Sequence, residues 1–291
     1  MIATPRSIFN LPLPGRDPLA LGLRTLVMGV LNVTPDSFSD AGKTFDPAHA
    51  VERALAMEAD GADLIDIGAE STRPGAEPVE AAAEWQRLRP VLKGLARRLR
   101  IPISIDTYRA VTARRALDEG VAIVNDISGL RYDAGLGEIV AARGAALILM
   151  HTRGRSRDMY VEAQYDDVVA EVTRELQRSI ERAVGHGIPL DRLVVDPGFG
   201  FAKKAAHSMT TLAHLASLTS LGRPILSGSS RKSFLTSATG PLNPNARDWA
   251  TAAAVTSSIM SGAHIVRVHR VAEMVHVTRV ADAIREASGV R

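Results

Sequence analysis

Cysteine is absent from all 291 residues. This excludes disulfide bonds and zinc–thiolate centres and fits a reducing compartment, so a cytoplasmic location is expected. An excess of one charge is missing too. The 35 Lys and Arg against 32 Asp and Glu leave a formal +3, too little for a basic nucleic-acid face, and no nucleic-acid partner is expected. Long apolar runs are also lacking: the most apolar window, 250–268, is broken by Ser257, Ser258, Ser261, Gly262 and His264. It reads as a buried helix and strand, with no membrane partner. The first 18 residues hold no apolar core of a signal peptide and are interrupted by Arg16 and Asp17. There is no Walker A spacing and no His-x-x-x-His pair with a glutamate. Gly198-Phe199-Gly200-Phe201-Ala202-Lys203 lacks the last glycine and the following helix of a dinucleotide fingerprint.

What is present is a repeated unit. The stretch 26–31 carries neither charge nor alternation, as a strand covered on both faces does, and Asn32 ends it before the turn residues Thr34, Pro35, Asp36 and Ser37. The pattern recurs at 64–68, 103–106, 123–126, 147–150, 193–196, 224–228 and 265–269. Helical periodicity fills the gaps over 47–60, 79–98, 109–119, 136–143, 165–184, 209–221, 245–261 and 271–287. Eight strands with intervening helices predict an α/β fold, a (β/α)₈ TIM barrel, as a single domain over 1–291, with a doubly wound sheet as the alternative. The proline-rich stretch 7–24 suits a short N-terminal β-hairpin over the barrel floor. Asp46 is the expected N-cap of the first helix, and Gly61, Gly120, Gly144, Gly187 and Gly262 are expected left-handed C-caps.

Polar residues fall at the carboxyl ends of these strands: Asn32, Asp66, Ser104 with Asp106, Asn125 with Asp126, His151, Asp196, Ser227, and Arg267 with His269. In a barrel these ends meet at one mouth. Period-two spacing lets Ser104 and Asp106, and likewise Arg267 and His269, point into the lumen together. Buried carboxylates need partners, so such a ring implies a polar ligand or mutual pairing. Arg231, Lys232, Arg267 and His269 gather on the last two strands, where barrels often hold phosphate, and Ser229 to Ser233 is expected to open a helix whose N–H groups attract an anion. Arg153, Arg155 and Arg157 follow a strand tip and could face either solvent or an anionic ligand; Arg97, Arg98, Arg100, Arg114 and Arg115 fall on solvated helix faces. His49, His186, His207, His214 and His276 are expected to be surface or packing residues.

Two long segments carry a resemblance. Gly29-Val30-Leu31-Asn32-Val33-Thr34-Pro35-Asp36-Ser37-Phe38-Ser39-Asp40 and Glu70-Ser71-Thr72-Arg73-Pro74-Gly75-Ala76 resemble the signature segments of the bacterial dihydropteroate synthases. Ile105-Asp106-Thr107, Val124-Asn125-Asp126-Ile127, Leu149-Met150-His151, Asp196-Pro197-Gly198-Phe199-Gly200-Phe201, Ser230-Arg231-Lys232-Ser233 and Val266-Arg267-Val268-His269 are similar to that family's later motifs in the same order.

The resemblance implies condensation of 6-hydroxymethyl-7,8-dihydropterin pyrophosphate with p-aminobenzoate, giving 7,8-dihydropteroate and pyrophosphate for folate synthesis. It implies catalytic roles for Asp106, Lys232, Arg267 and His269. Asp196 would accept from the pterin's two adjacent N–H groups, Asn125 would read the neighbouring ring nitrogens and Lys232 the carbonyl side. Met150, Gly228 and Ser230 are further implied to bind substrate. Asp106 would stabilise a pterin-methyl cation. Arg267 and His269 would take the pyrophosphate, with Mg²⁺ as cofactor bridging it to Asn32. Thr72 and Arg73 would close over pyrophosphate and amine, Phe38, Pro74 and Phe201 would wall the aryl ring, and Ser233 would receive its carboxylate. The loops 34–44 and 71–77 are expected to order once pyrophosphate is bound. Sulfonamide sensitivity and a homodimer through late outer helices are also implied.

Two positions depart from the family pattern. Ala69 stands where glycine is common, and Arg270 follows His269 where an acidic residue is usual; alternation favours Arg270 pointing outward. A pterin-binding methyltransferase barrel would share the Asp and Asn contacts but not need Lys232, Arg267, His269 or the Thr72-Arg73 loop. A non-catalytic pterin-binding subunit is the reading from a different class.

Overall fold

The computed structural model describes residues 3–34, 46–71, 75–155 and 157–289. Eight parallel strands run in the order β8(Leu193–Asp196), β7(Ala146–Met150), β6(Ile123–Asp126), β5(Ile103–Asp106), β4(Leu64–Gly68), β3(Leu26–Asn32), β10(Ile265–Val268), β9(Leu226–Ser227). A bridge between Val195 and Ile225 joins the two ends, so the sheet closes on itself. The barrel and its helices, α1(Pro47–Ala59), α2(Ala81–Leu95), α3(Ala110–Asp118), α4(Leu136–Arg143), α5(Val168–Gly185), α6(Ala205–Ala213), α7(Thr236–Thr239), α8(Asp248–Met260) and α9(Val271–Ala287), follow the predicted order.

Each strand divides its side chains between two cores, because successive residues face opposite sides of a sheet. Val27, Leu31, Ile65, Ile67, Ile105, Val124, Leu147, Val195, Val266 and Val268 face outward into the aliphatic layer shared with the helices. Met28, Leu64, Ile123, Ile148, Val194, Leu226 and Ile265 face inward and fill the lower lumen. The floor is closed by the hairpin β1(Phe9–Leu13) and β2(Arg16–Leu21), whose Leu11, Leu13 and Leu21 join that inner cluster. Apart from Ser104, level with Ile123, the lower lumen is apolar, and the other inward polar groups lie higher, toward the strand tips.

Helix ends follow local chemistry. Asp46 caps α1 by accepting from Ala48 N at 2.9 Å. Gly61, Gly120, Gly144, Gly187 and Gly262 all have positive φ. Several boundaries differ from expectation, those of α6, α8 and β9 among them. The helix predicted over 209–221 is α6 followed by a 3₁₀ segment, Leu215–Leu221. There Thr219 and Ser220 hydroxyls donate to carbonyls three residues back and favour the tighter turn. A 3₁₀ turn, Pro244–Arg247, precedes α8. Strand β9 is two residues long rather than five, since its chain departs at Gly228 toward the mouth.

Candidate active site

The tips of β3, β4, β5 and β6 are in register, with Asn32 opposite Gly68, Gly68 opposite Asp106 and Asp106 opposite Asn125. Met150 lies opposite Asp196 on β7 and β8. Asn32, Asp106, Asn125, Met150, Asp196 and Arg267 therefore share the upper lumen. Two glycines make room for the carboxyls: a methyl on Gly68 would lie 3.2 Å from Asp106 Cβ, and one on Gly228 would lie 3.5 Å from Asp196 Oδ2.

Arg267 ties the ring together. Its Nε donates to Asp66 Oδ2 at 2.6 Å and its Nη2 to Asp106 Oδ2 at 2.9 Å. Asn125 Nδ2 donates to the same Asp66 oxygen at 2.9 Å. Burial opposes the Arg267 charge, but Asp66 and Asp106 outweigh it and raise its pKa, so it is a permanent cation. Asp106 is pushed up to about 7 by burial first and by Asp66 next, against the pull of Arg267. Burial also raises Asp196, opposed chiefly by Lys232. Lys232 is lowered to about 8 by burial, partly offset by Asp196. Its ammonium donates to Phe199 O and stands 4.3 Å from the centroid of the Phe201 ring.

His269 lies just past β10 and is held by Ser230, whose Oγ is 3.0 Å from Nδ1 and accepts from His269 N at 3.3 Å. Burial and the cations Arg267 and Arg231 lower it to about 3. It is therefore neutral, and a Ser230 hydroxyl donating to Nδ1 leaves Nε2–H as the group on offer. Among the four groups gathered on the last two strands, His269 thus offers a donor and no charge. Arg231 is likewise not a free cation, since its guanidinium is bidentate to Asp248 at 2.8 and 2.9 Å. Its positive φ of 59° fixes the turn between Ser230 and Lys232. Nor does a long helix begin at Ser233: an exposed Ser233 heads the 3₁₀ turn Ser233–Leu235, followed by the four-residue α7.

Several polar tips belong elsewhere. Asp126 accepts from Ser128 N, Ser128 Oγ and Leu130 N, shaping the loop after β6. Ser227 Oγ pairs with Ser258 Oγ of α8 at 2.8 Å. Arg153 is committed to Glu171 and Glu175, so it is not a free anion receptor, while Arg155 lies over the Tyr132 ring at 4.4 Å. Arg270 is exposed and pairs with Glu273, outward as alternation required. Phe38, Thr72, Arg73, Pro74 and most of the two loops expected to close lie outside the described residues.

Two groups had no assigned role in the sequence reading. Lys203 is 1% exposed; its ammonium donates to Gly198 O and Phe201 O, both at 3.2 Å, and lies 2.7 Å from His151 Nδ1. Burial lowers its pKa strongly, and burial with Lys203 lowers His151 to about 3. It stitches the loop carrying Phe199 and Phe201 to β7. Asp66, the other, is fully buried beneath the ring and touches both Arg267 and Asn125.

Asn32 is half-buried and its side chain hydrogen-bonds to no described residue. Among the described residues no three His, Asp or Glu converge as a metal cage. One amide oxygen suits a magnesium ion that takes its remaining ligands from phosphate and water.

Fold and site together define a parallel α/β barrel whose mouth gathers carboxyl, amide and cationic groups in one pit. The family model described as "Pterin binding enzyme" matches residues 28–269. A dihydropteroate synthase of Synechocystis sp. is 43% identical over 95% of this chain and 96% of its own. One of Mycobacterium leprae is 46% identical over 88% and 92%. A Yersinia pestis dihydropteroate synthase in complex with a sulfonamide drug superposes with a TM-score of 0.89 at 40% identity, covering 96% of this chain and all of that one. A Xanthomonas albilineans dihydropteroate synthase with 7,8-dihydropteroate gives 0.83 at 38% identity, covering 94% and 99%. The chain belongs to the pterin-binding enzyme family, within its dihydropteroate synthase branch.

Proposed function

We propose that the chain condenses 6-hydroxymethyl-7,8-dihydropterin pyrophosphate with p-aminobenzoate, releasing pyrophosphate and forming 7,8-dihydropteroate. The observation that carries this is the order of groups around the barrel. Asn125 on β6, Asp196 on β8 and Lys232 after β9 follow one another as the pterin's edges do: N8–H with N1, then the 2-amino group with N3–H, then O4 with N5. Asp196 accepts the two adjacent N–H donors, Asn125 takes the mixed edge and Lys232 donates to the carbonyl edge. Met150, opposite Asp196, and Gly228, beside the Asp196 carboxyl, adjoin this set; Ser230 holds His269.

The methylene carbon then faces Asp106 and Arg267. As its C–O bond breaks, the electron pair leaves with pyrophosphate and positive charge develops on the pterin-methyl group. The Asp106 carboxylate stabilises that charge, while Arg267 and the Nε2–H of His269 hold the departing anion. A Mg²⁺ ion held through Asn32 would supply further counter-charge to the diphosphate. The arylamine nitrogen adds to the methylene and loses a proton to solvent or to the departing pyrophosphate. Phe201, whose ring sits against Lys232, is one wall for the amine substrate, and the Ser233 hydroxyl is the receiver for its carboxylate. Thr72, Arg73, Pro74 and Phe38 keep the roles the motifs suggest.

A homodimer is the proposed assembly; Trp249 at 88%, Val280 at 61% and Ile284 at 50% exposure on α8 and α9 support it. Among the described residues no helix is long and apolar enough to cross a membrane, and absence of cysteine supports a cytoplasmic site. The test is pyrophosphate release from the two substrates with Mg²⁺. Release that requires p-aminobenzoate and is suppressed by sulfonamides is expected; release indifferent to the amine would refute the proposal.

A further inference from the structure

The amide of Asn125 has a defined polarity. Its Nδ2 donates to Asp66 Oδ2 at 2.9 Å, and its Oδ1 is buried without a partner among the described residues. Asp66 is 0% exposed, and the same Oδ2 takes the Arg267 Nε–H at 2.6 Å. Were the amide flipped, Asn125 Oδ1 would face that carboxylate oxygen, acceptor against acceptor, so the carboxylate holds one orientation. One N–H is then consumed by Asp66, and the edge Asn125 offers to a ligand consists of Oδ1 and a single remaining N–H.

That edge matches one oxidation state of the pterin. In a 7,8-dihydropterin the N1 and N8 edge is an acceptor beside a donor, complementary to N–H and Oδ1. In a fully oxidised pterin both nitrogens carry lone pairs, and Oδ1 would be buried against one of them. A site whose buried acceptor is left unpaired by an analogue rejects that analogue. Resting on the pterin reading of the site, we propose that Asp66 is a specificity-determining residue: by orienting Asn125 it makes the site select the dihydro over the oxidised pterin. It touches no substrate atom and acts through Asn125.

The test is equilibrium binding of 6-hydroxymethyl-7,8-dihydropterin and of 6-hydroxymethylpterin, both lacking the diphosphate, so that changes at Arg267 weigh on the two alike. The wild-type chain is expected to prefer the dihydro form by at least about tenfold, one unpaired acceptor's worth. In Asp66→Asn the neutral amide can donate to Asn125 Oδ1 and let it turn, so the preference is expected to shrink below about threefold. Loss of a purely structural support would weaken both ligands equally and leave the ratio unchanged, which would overturn the proposal. A wild-type ratio near one overturns it without any variant, and Asp66→Ser, whose hydroxyl also donates, reads the same ratio should Asp66→Asn not fold. Binding of neither pterin would remove the pterin reading itself, and this inference with it.

Discussion

Replacing Arg267 by Gln removes the guanidinium that bridges Asp66 and Asp106, at 2.6 and 2.9 Å, and leaves two carboxyls on neighbouring strands without it. A charge-assisted hydrogen bond contributes about 1.5–3 kcal/mol, and breaking a buried ion pair by deleting one partner costs about 3–5 kcal/mol. Proton uptake relieves part of that cost. Asp106 already lies at about 7, above its ordinary 3.8, so the folded chain holds this proton more tightly than the unfolded one. The stability due to it is full below the unfolded value and is lost as pH rises through 7; without Arg267 the folded value climbs further and the loss extends to higher pH. We expect Arg267→Gln to lower stability by about 4 kcal/mol at pH 8.5 and by about 2 kcal/mol at pH 6. With unfolding entropy near 2.1 cal/mol/K per residue, the 291-residue chain loses roughly 6 °C and 3 °C in Tm respectively. Thermal melts at the two pH values read this directly. Activity is expected to fall further, by about 10³ in kcat/KM, because the proposed mechanism places the same guanidinium on the leaving diphosphate. An equal Tm loss at both pH values, or a kcat/KM within tenfold of wild type, would refute the coupling of the two carboxyls through Arg267.

Gly198→Ala adds a Cβ 2.0 Å from His151 O at a φ of 66°; a loss of at least about 3 kcal/mol with collapse of pterin affinity is expected in chemical denaturation and binding titrations. Asp196→Ala is expected to abolish pterin binding in calorimetry, while Phe38→Ala mainly raises KM for the amine by about tenfold; matching effects on pterin affinity would contradict that division of labour. Leu11→Ala, at a 1% exposed position in the barrel plug, is expected to cost about 2–5 kcal/mol in stability with kcat within twofold of wild type. Asn32→Ala should raise the Mg²⁺ concentration needed for half-maximal rate without changing pterin affinity measured free of diphosphate.

Much of this molecule was legible before any coordinates. Uninterrupted apolar runs ending in Asn32, Asn125 and Asp196 announced parallel strands with polar groups at their tips, because only strands covered on both faces read that way. Glycines at helix ends marked the returns to the floor. Which of two adjacent polar tips enters the lumen was not legible: of Asn125 and Asp126, the first enters and the second caps a loop. The charge state of His269 was invisible as well, since it depends on burial and on Arg267 and Arg231 around it. Lys203 could have been flagged by its place at the end of the Gly198 to Ala202 loop, where an ammonium is suited to collect carbonyls, but nothing local says it is buried. Arg231 and Asp248, 17 residues apart, pair only because the loop after β9 folds back on α8.

The central claim is that one pit at the barrel mouth holds the pterin and its diphosphate together. A crystal structure with 6-hydroxymethyl-7,8-dihydropterin pyrophosphate and Mg²⁺ measures it. The account predicts the ring within hydrogen-bond distance of Asn125, Asp196 and Lys232 and the diphosphate on Arg267 and His269. A ligand seated elsewhere, or a diphosphate that touches neither Arg267 nor His269, would contradict it.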